Sequence, residues 1–345
     1  MDIHLITLFL CNAINTPIFS MKKNIAIAMG GYSSEFQISI NSGNVVYKHL
    51  DRSKYNPFRV HILQKEWFVV ADDGTSYPVN RSNFTATIDG KQISFDCVFN
   101  IIHGTPGENG LLQAYLELLH IPQTSCDFYQ AALTFNKRDL ISVLKPYGIR
   151  TAENYFLDKG DDVNVEEIIE KVGLPCFVKA NKAGSSFGVT KVKSKDEFMP
   201  AIRTAFKEDD EIIIESFLDG TEVDVGVVMY KGEMLALPVT EIVPEGEFFD
   251  YAAKYLGKSK EITPARISEE QTAQVQEISK LIYKKLKLKG ITRAEFIFHN
   301  NEPYFIEVNT NPGLSEASII PQQSLAAGIS LQDLFGNAIE AALAR

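Results

Sequence analysis

Tryptophan occurs once in the 345 residues, at Trp67, and cysteine four times, at Cys11, Cys97, Cys126 and Cys176. No two cysteines form a CxxC pair and none has a histidine nearby at a zinc spacing. A cysteine zinc site and a disulfide framework are therefore excluded, and buried thiols in a reducing cytoplasm are the simplest reading. Positive charge is also short: 34 Lys and Arg face 44 Asp and Glu, a formal net charge of −10. Such a chain repels nucleic acid and anionic membrane surfaces, so neither is expected as a partner. The stretch "LITLFLC" is too short to span a bilayer, and "MDIHLITLFL" lacks the basic start of a secretory signal. Residues 1–20 are read as an extension ahead of a natural start at Met21, with an unrecognised signal segment as the alternative. Internal repeats and low-complexity tracts are absent too.

What is there fits an ordinary globular chain, 45% apolar and 23% charged, long enough for two or three domains. "NIAIAM" reads as a buried strand ending at Gly30-Gly31, and "SSEFQISINSGNVVYKHL" has helical spacing behind a serine cap. "FRVHILQ" and "FDCVFNIIHG" read as further strands and "GENGLLQAYLELLH" as a helix, which predicts an α/β unit with a mostly parallel sheet. In such a sheet Glu35 and His103 would lie at strand C-termini, where ligands bind. One amphipathic helix is expected over residues 127–148, stopped by Pro146 and Gly148. Strands and helices then alternate to residue 207. A region of strands, a long helix over 268–288, a hairpin and a C-terminal helix close the chain.

The hairpin carries the first chemical signal. In "RAEFIFHNNEPYFIEVN", Arg293 and Glu295 alternate to one face and Ala294, Phe296 and Phe298 to the other. Glu307 and Asn309 share one side of the second run, with Ile306 and Val308 on the other. A turn over residues 299–303, centred on Asn301, sets Glu295 opposite Glu307 and Arg293 opposite Asn309. Two carboxylates so placed repel unless a cation lies between them, and Glu, Glu and Asn oxygens suit magnesium or manganese. Taken alone, the pattern also fits a hairpin with one solvated acidic face.

Other stretches add to it. In "FVKANKAGSSFGV", Lys179 ends an apolar strand before a loop whose glycines and Ser185 and Ser186 let backbone approach an oxyanion. The lysine precedes the glycines, so this is not the GxxxxGK[ST] phosphate loop. A nucleotide needs cations for phosphates, a carboxylate for ribose and a dry slot for adenine. Lys137 and Lys179, Glu222, and Glu215 with Phe217 and Leu218 could supply these. "AMGGYSSE" lacks the third glycine of GxGxxG, which discounts NAD and FAD. Glu35 reads either as a helix-terminal acid or as a partner for an ammonium group. "HGTPGENG" is either a shaping loop or an active-site wall carrying His103 and Glu108. Residues 247–265, with Lys254 and Tyr255, are expected to form a lid.

As an ordered set, GGxSxE, HGxxGExG, VKxxxxGSSxG, DYxxKY and ExNTxPG strongly resemble the D-alanine–D-alanine ligase family of the ATP-grasp superfamily, over nearly all of residues 24–345. The resemblance implies an ATP-grasp fold, α/β and α+β, with a Rossmann-like N-terminal domain over 21–123. A central subdomain over 124–218 and a C-terminal subdomain over 219–345 with the metal site would follow. It implies joining of two D-alanines with ATP through an acylphosphate, for the peptidoglycan precursor, by a cytoplasmic homodimer. The metal ligands would be Glu295, Glu307 and Asn309, holding two Mg²⁺ or Mn²⁺. Glutamate at 295 departs from the family's usual aspartate and puts the coordination geometry in question. Lys137, Lys179 and Lys254 would contact phosphates with Ser185 and Ser186. Glu215, Phe217 and Leu218 would border adenine, and Glu222 the ribose. Arg293 and the Gly313 N–H would stabilise the tetrahedral oxyanion. Glu35 and His103 would serve the first alanine and Ser318 and Ile319 the second, while Glu35, Ser185 and Tyr255 would fasten the lid. The alternatives are a related ATP-grasp ligase making D-alanine–D-lactate or using another D-amino acid, and a non-catalytic nucleotide or divalent-cation sensor.

Overall fold

A run of branched and small apolar residues from Ile25 to Met29 is wholly buried and forms β1 (Lys23–Gly30). It leads through Gly30-Gly31 into α1 (Phe36–His49). There follow β2 (Tyr55–Ile62), β3 (Trp67–Val70), β4 (Ser76–Asn80), β5 (Thr85–Ile88), β6 (Lys91–Ser94), β7 (Cys97–Asn100) and α2 (Leu111–Leu118). These strands form one sheet in the order β6-β5-β4-β3-β2-β1-β7. The computed structural model describes residues 22–184, 188–244 and 259–345, so the extension expected over residues 1–20 lies outside the described residues.

The sheet corrects the expectation of a mostly parallel arrangement. β1 runs parallel to β2 and β7, but every pairing from β2 out to β6 is antiparallel. The cause is local. Asp73-Gly74 and Asp89-Gly90 make tight turns, with φ of +87° at Gly74, +49° at Asp89 and +78° at Gly90. Such turns leave no room for a crossover helix, so the strands they join must be antiparallel.

The second region holds α3 (Phe128–Phe135), α4 (Lys137–Leu144), β8 (Asn154–Asp158), α5 (Val165–Val172), β9 (Cys176–Ala180), β10 (Thr190–Val192), α6 (Phe198–Ala205) and β11 (Glu211–Ser216). Its four strands form an antiparallel sheet, β10-β9-β11-β8. The sheet shares a core of Val178, Ile212 and Ile214 with Ile168 of α5 and Phe198 and Ile202 of α6. The single helix expected over 127–148 is two. Asn136 leaves helical geometry at φ −96°, ψ 103°, and its Oδ1 caps α4 by accepting from the Asp139 N–H at 3.1 Å. Asn181 Nδ2 donates to the same oxygen at 2.8 Å. The break sets Lys137 at the first position of α4, buried beside the loop after β9.

The third region holds β12 (Thr221–Tyr230), β13 (Glu233–Ala236), β14 (Thr240–Pro244), β15 (Ser259–Ile262), α7 (Glu269–Lys285), β16 (Thr292–His299), β17 (Glu302–Asn309), α8 (Ile319–Ala326) and α9 (Leu331–Leu343). Its sheet runs β15-β14-β12-β16-β17, with β13 also on β12. α7 starts at a capping box in which Ser268 and Gln271 satisfy each other's backbone N–H groups. Val223, Val225, Ala294, Phe296 and Val308 point to one face of the sheet and bury against Val275 and Ile282 of α7 and Leu140 and Leu144 of α4. The opposite face is therefore free to carry charge.

Candidate active site

β16 and β17 meet as the sequence predicts, by a different route. His299 pairs with Glu302, so the turn is the two residues Asn300 and Asn301, both left-handed at φ +53° and +65°. That is the type I′ signature of a two-residue hairpin. On its own such a turn would put Glu295 out of step with Glu307. A bulge between Glu295 and Phe296 restores the expected opposition, Glu295 to Glu307 and Arg293 to Asn309. The bulge also corrects the expected core face: Phe305 joins Val308 in the core at 2% exposure, and Ile306 is only half-buried. Phe305 meets Phe296 edge-on, ring centroids 5.8 Å apart.

Glu295 is 4% exposed and needs compensation. Asn309 Nδ2 donates to Glu295 Oε1 at 2.8 Å and reaches Glu307 Oε1 at 3.4 Å, while an Arg293 Nη2 N–H donates to Glu295 Oε1. Lys137 Nζ lies 3.3 Å from Glu307 Oε2 and donates to the Ala183 carbonyl at 2.9 Å. Each carboxylate thus has a cation of its own, Arg293 on Glu295 and Lys137 on Glu307, and the Asn309 amide reaches both. The donor set is hard oxygen, and it fits a magnesium-type cation. For Asn309 to join as a ligand its amide would turn to present Oδ1 instead of Nδ2. A cleft opens here, lined by Glu108, Lys137, Gly184, Glu307 and Asn309 among others.

Of the residues expected to serve a nucleotide, Lys179 falls on β9, Glu215 on β11 and Glu222 on β12, with Phe217 and Leu218 in the connection between the last two strands. Lys179 Nζ is 2.5 Å from Glu215 Oε2, both side chains nearly buried, so these two expected residues form one ion pair. Phe217 meets Phe177 at a tilt of 50°, ring centroids 6.0 Å apart, and carries Lys191 Nζ over its ring at 3.9 Å. Lys191 was not anticipated, since nothing in the sequence marks it apart from other surface lysines. Leu218 is half-buried beside Phe217. Glu222 turns to the acidic end, one of its oxygens within 4.8 Å of oxygens on Asp224 and Glu295. Asp224, 1% exposed and 2.9 Å from Arg293 Nε as an ion pair, was also missed. Its signal is the alternation of "EVD" into the same face as Glu222.

Behind the cleft stands the loop after β7. Gly107 packs so tightly that an added Cβ would lie 2.3 Å from the Ile102 carbonyl oxygen. Side-chain amides of Asn100, Gln113 and Asn311 all donate to the Gly107 carbonyl, which fixes the loop from both the first and third regions. Asn311 went unread because its partners are backbone. The loop holds His103 and Glu108, both buried. Burial holds the His103 ring below its ordinary range, with the Glu35 charge and a hydrogen bond to the Asn311 backbone opposing that effect. Glu108 is pushed up to about 8, chiefly by burial and by the Glu35 charge, although it accepts from the Gly104 N–H at 2.7 Å. Glu35, 7% exposed, stands at the start of α1, its carboxylate within 2.9 Å of where a Gly184 Cβ would project.

On the remaining side Gly313 packs against Ser318, whose Oγ lies 2.7 Å from Ser315 Oγ. Ser318 is the residue before α8, and Ile319 is buried against Ile242. Ser185, Ser186, Lys254 and Tyr255, together with most of the expected lid, lie outside the described residues. No helix among the described residues is long and apolar enough to cross a membrane.

The same chain can be set beside known proteins. The family model for the D-ala D-ala ligase N-terminus matches residues 24–126, and that for the D-ala D-ala ligase C-terminus matches residues 143–340. The D-alanine–D-alanine ligase of Christiangramia forsetii is 75% identical over 323 residues, covering 94% of this chain and 99% of the relative. Among solved structures, the VanG D-Ala:D-Ser ligase from Enterococcus faecalis has a TM-score of 0.81 at 32% identity, covering 93% of this chain and 99% of that one. The D-alanine–D-alanine ligase from Bacillus anthracis, complexed with ATP, has a TM-score of 0.75 at 30% identity, covering 93% and 98%. With both family models matched in order around a cleft of this make, the chain belongs to the D-alanine–D-alanine ligase family.

Proposed function

We propose that the protein joins two D-alanines into D-alanyl-D-alanine for peptidoglycan precursor synthesis, using ATP. The observation that carries the reading is the opposed Glu295 and Glu307, with Asn309 between them and Lys137 and Arg293 against them, at a cleft walled by Glu108. The first D-alanine carboxylate attacks the γ-phosphorus, ADP leaves, and an acylphosphate forms. The second D-alanine's amine then attacks the acyl carbon and phosphate leaves. Such transfer asks a protein mainly for positioning and charge neutralisation.

In this reading Lys137 and Lys179, with Lys254, Ser185 and Ser186, neutralise phosphates. Glu215, Phe217 and Leu218 border adenine, and Glu222 takes the ribose. Arg293 and the Gly313 N–H take up oxyanion charge at the tetrahedral stage. Glu35 and His103 orient the first alanine, Ser318 and Ile319 the second, and Tyr255 joins Glu35 and Ser185 under the lid. Glu295, Glu307 and Asn309 would hold two Mg²⁺ or Mn²⁺, which when bound screen the phosphate charge. A cytoplasmic homodimer completes the reading; the exposed Leu118 and Tyr129 on neighbouring α2 and α3 support a protein contact there.

The acceptor is the open choice within the family, since one structural neighbour is titled a D-Ala:D-Ser ligase. The 75% identical relative, named for D-alanine twice, favours D-alanine here. Incubation with ATP, Mg²⁺ and D-alanine, with and without D-serine or D-lactate, tests this directly. Phosphate release that needs D-alanine, with D-alanyl-D-alanine as main product, is expected. Release independent of D-alanine, or D-alanyl-D-serine or the D-alanyl-D-lactate depsipeptide as main product, defeats it.

A further inference from the structure

Arg293 lies between two carboxylates, and only Glu295 of the pair belongs to the proposed metal set. β12 sets Asp224 directly across from Glu295, and Gly226 across from Arg293. Asp224 is 1% exposed, and its Oδ2 lies 2.9 Å from Arg293 Nε. From the other side, Arg293 Nη2 and Asn309 Nδ2 both donate to Glu295 Oε1. Glu295 is thus already engaged by a cation of the protein's own. A divalent ion taking Oε1 displaces Arg293 from it, and one held on Oε2 repels the guanidinium through the same carboxylate, so either loosens the hold of Glu295 on Arg293. A nearly buried guanidinium then needs another anion, because an uncompensated buried charge is strongly unfavourable.

We propose that Asp224 is the positioning residue of Arg293: it keeps the guanidinium in place and balanced while Glu295 turns to the divalent cation. This rests on the reading that Glu295 takes the metal. Without the Asp224 charge, Arg293 settles on Glu295 and competes with the ion. Asp224, outside the proposed ligand set, thus controls metal affinity by holding a competitor away.

The test is Mn²⁺ binding to the full chain in the presence of ADP, followed by electron paramagnetic resonance of the free ion, with D-alanine-dependent phosphate release measured alongside. Asp224→Asn, nearly isosteric, should weaken Mn²⁺ binding about tenfold, the size of effect that outer-shell partners of metal sites have. Asp224→Glu, which keeps the charge, should retain most of the affinity. In the double variant Asp224→Asn with Arg293→Met the competitor is gone, so binding should return close to wild type. That variant also leaves no unpaired charge of the two, so it reads the outcome even if Asp224→Asn alone fails to fold. Wild-type binding by Asp224→Asn overturns the inference. So does weakening that persists in the double variant, which would make Asp224 a ligand in its own right. A wild type that holds no Mn²⁺ overturns it together with the metal reading. A wild type that binds Mn²⁺ but forms no D-alanyl-D-alanine overturns the functional reading alone.

Discussion

His103 and Glu108 are both held neutral by burial, the one by refusing a proton and the other by keeping it. The two effects on stability have opposite signs. Glu108 rises from 4.5 to about 8, so across that window the folded protein holds a proton that the unfolded chain has lost. Stability from this group is whole below the lower value and falls as pH rises through the upper one. Glu108→Gln mimics the protonated acid, and its melting temperature should gain on wild type between pH 6 and 9. A constant difference across that range would mean that Glu108 ionises normally. His103 lies below its ordinary 6.5, so the unfolded chain takes up a proton that the folded ring does not, and stability falls as pH drops below 6.5. At the proposed metal face, Glu307→Gln keeps the side chain's shape and an oxygen that can still accept from the buried Lys137 Nζ, so its fold should persist. Turnover should fall more than about 100-fold, beyond the effect of losing an outer-shell partner. Near-wild-type dipeptide formation by this variant would remove Glu307 from the site.

At the scale of elements, the hairpin shows what the sequence reveals and where it stops. Alternation placed Arg293, Glu295, Glu307 and Asn309 on one face, and the structure has them there. The turn type was missed because two departures cancel: a two-residue turn shortens the loop, and the bulge restores the register at the carboxylates. Cancellation of this kind leaves no trace in a period-two pattern except the buried Phe305, three residues from Val308. Asn301→Val puts a β-branched side chain at φ +65° and should cost about 1–2 kcal/mol in urea unfolding. Its activity per folded molecule should be unchanged, and an equal loss of activity would tie the turn to the site. The break at Asn136 was hidden for a different reason. Apolar spacing continues through it, and only the cap from Asn136 and the bond from Asn181 select two helices. The meander over β3 to β6 was the least legible part, although its Asp-Gly pairs are hairpin signals that could have been read.

At the scale of the molecule, separation in sequence conceals a shared core. Ile25, Ile27 and Phe99 of the first sheet pack in one cluster with Leu334, Phe335 and Ile339 of α9, at the far end of the chain. Phe99 and Phe335 meet edge-on at 5.7 Å, and Tyr55 Oη donates to Glu340 Oε1 at 2.5 Å. Arg345 adds hydrogen bonds to the Gln123 and Ser125 carbonyls. The sheet of β8 to β11 instead has a cluster drawn wholly from residues 155–214. One core therefore joins the N-terminal sheet to the C-terminal helices, and the smaller sheet keeps a core of its own. The proposed site draws on two sheets, because Lys179 and Glu215 lie on the smaller sheet and Arg293, Glu295 and Glu307 on β16 and β17 of the third region. Phe335→Ala leaves a cavity between first and last segments, with an expected loss of about 3–5 kcal/mol. Hydrogen exchange should then speed together in β1, β7 and α9, while β9 and β11 keep their wild-type protection. Faster exchange confined to α9 would show that the C-terminal helix is only docked on the first sheet, and that the shared cluster does not make the two ends one folding unit.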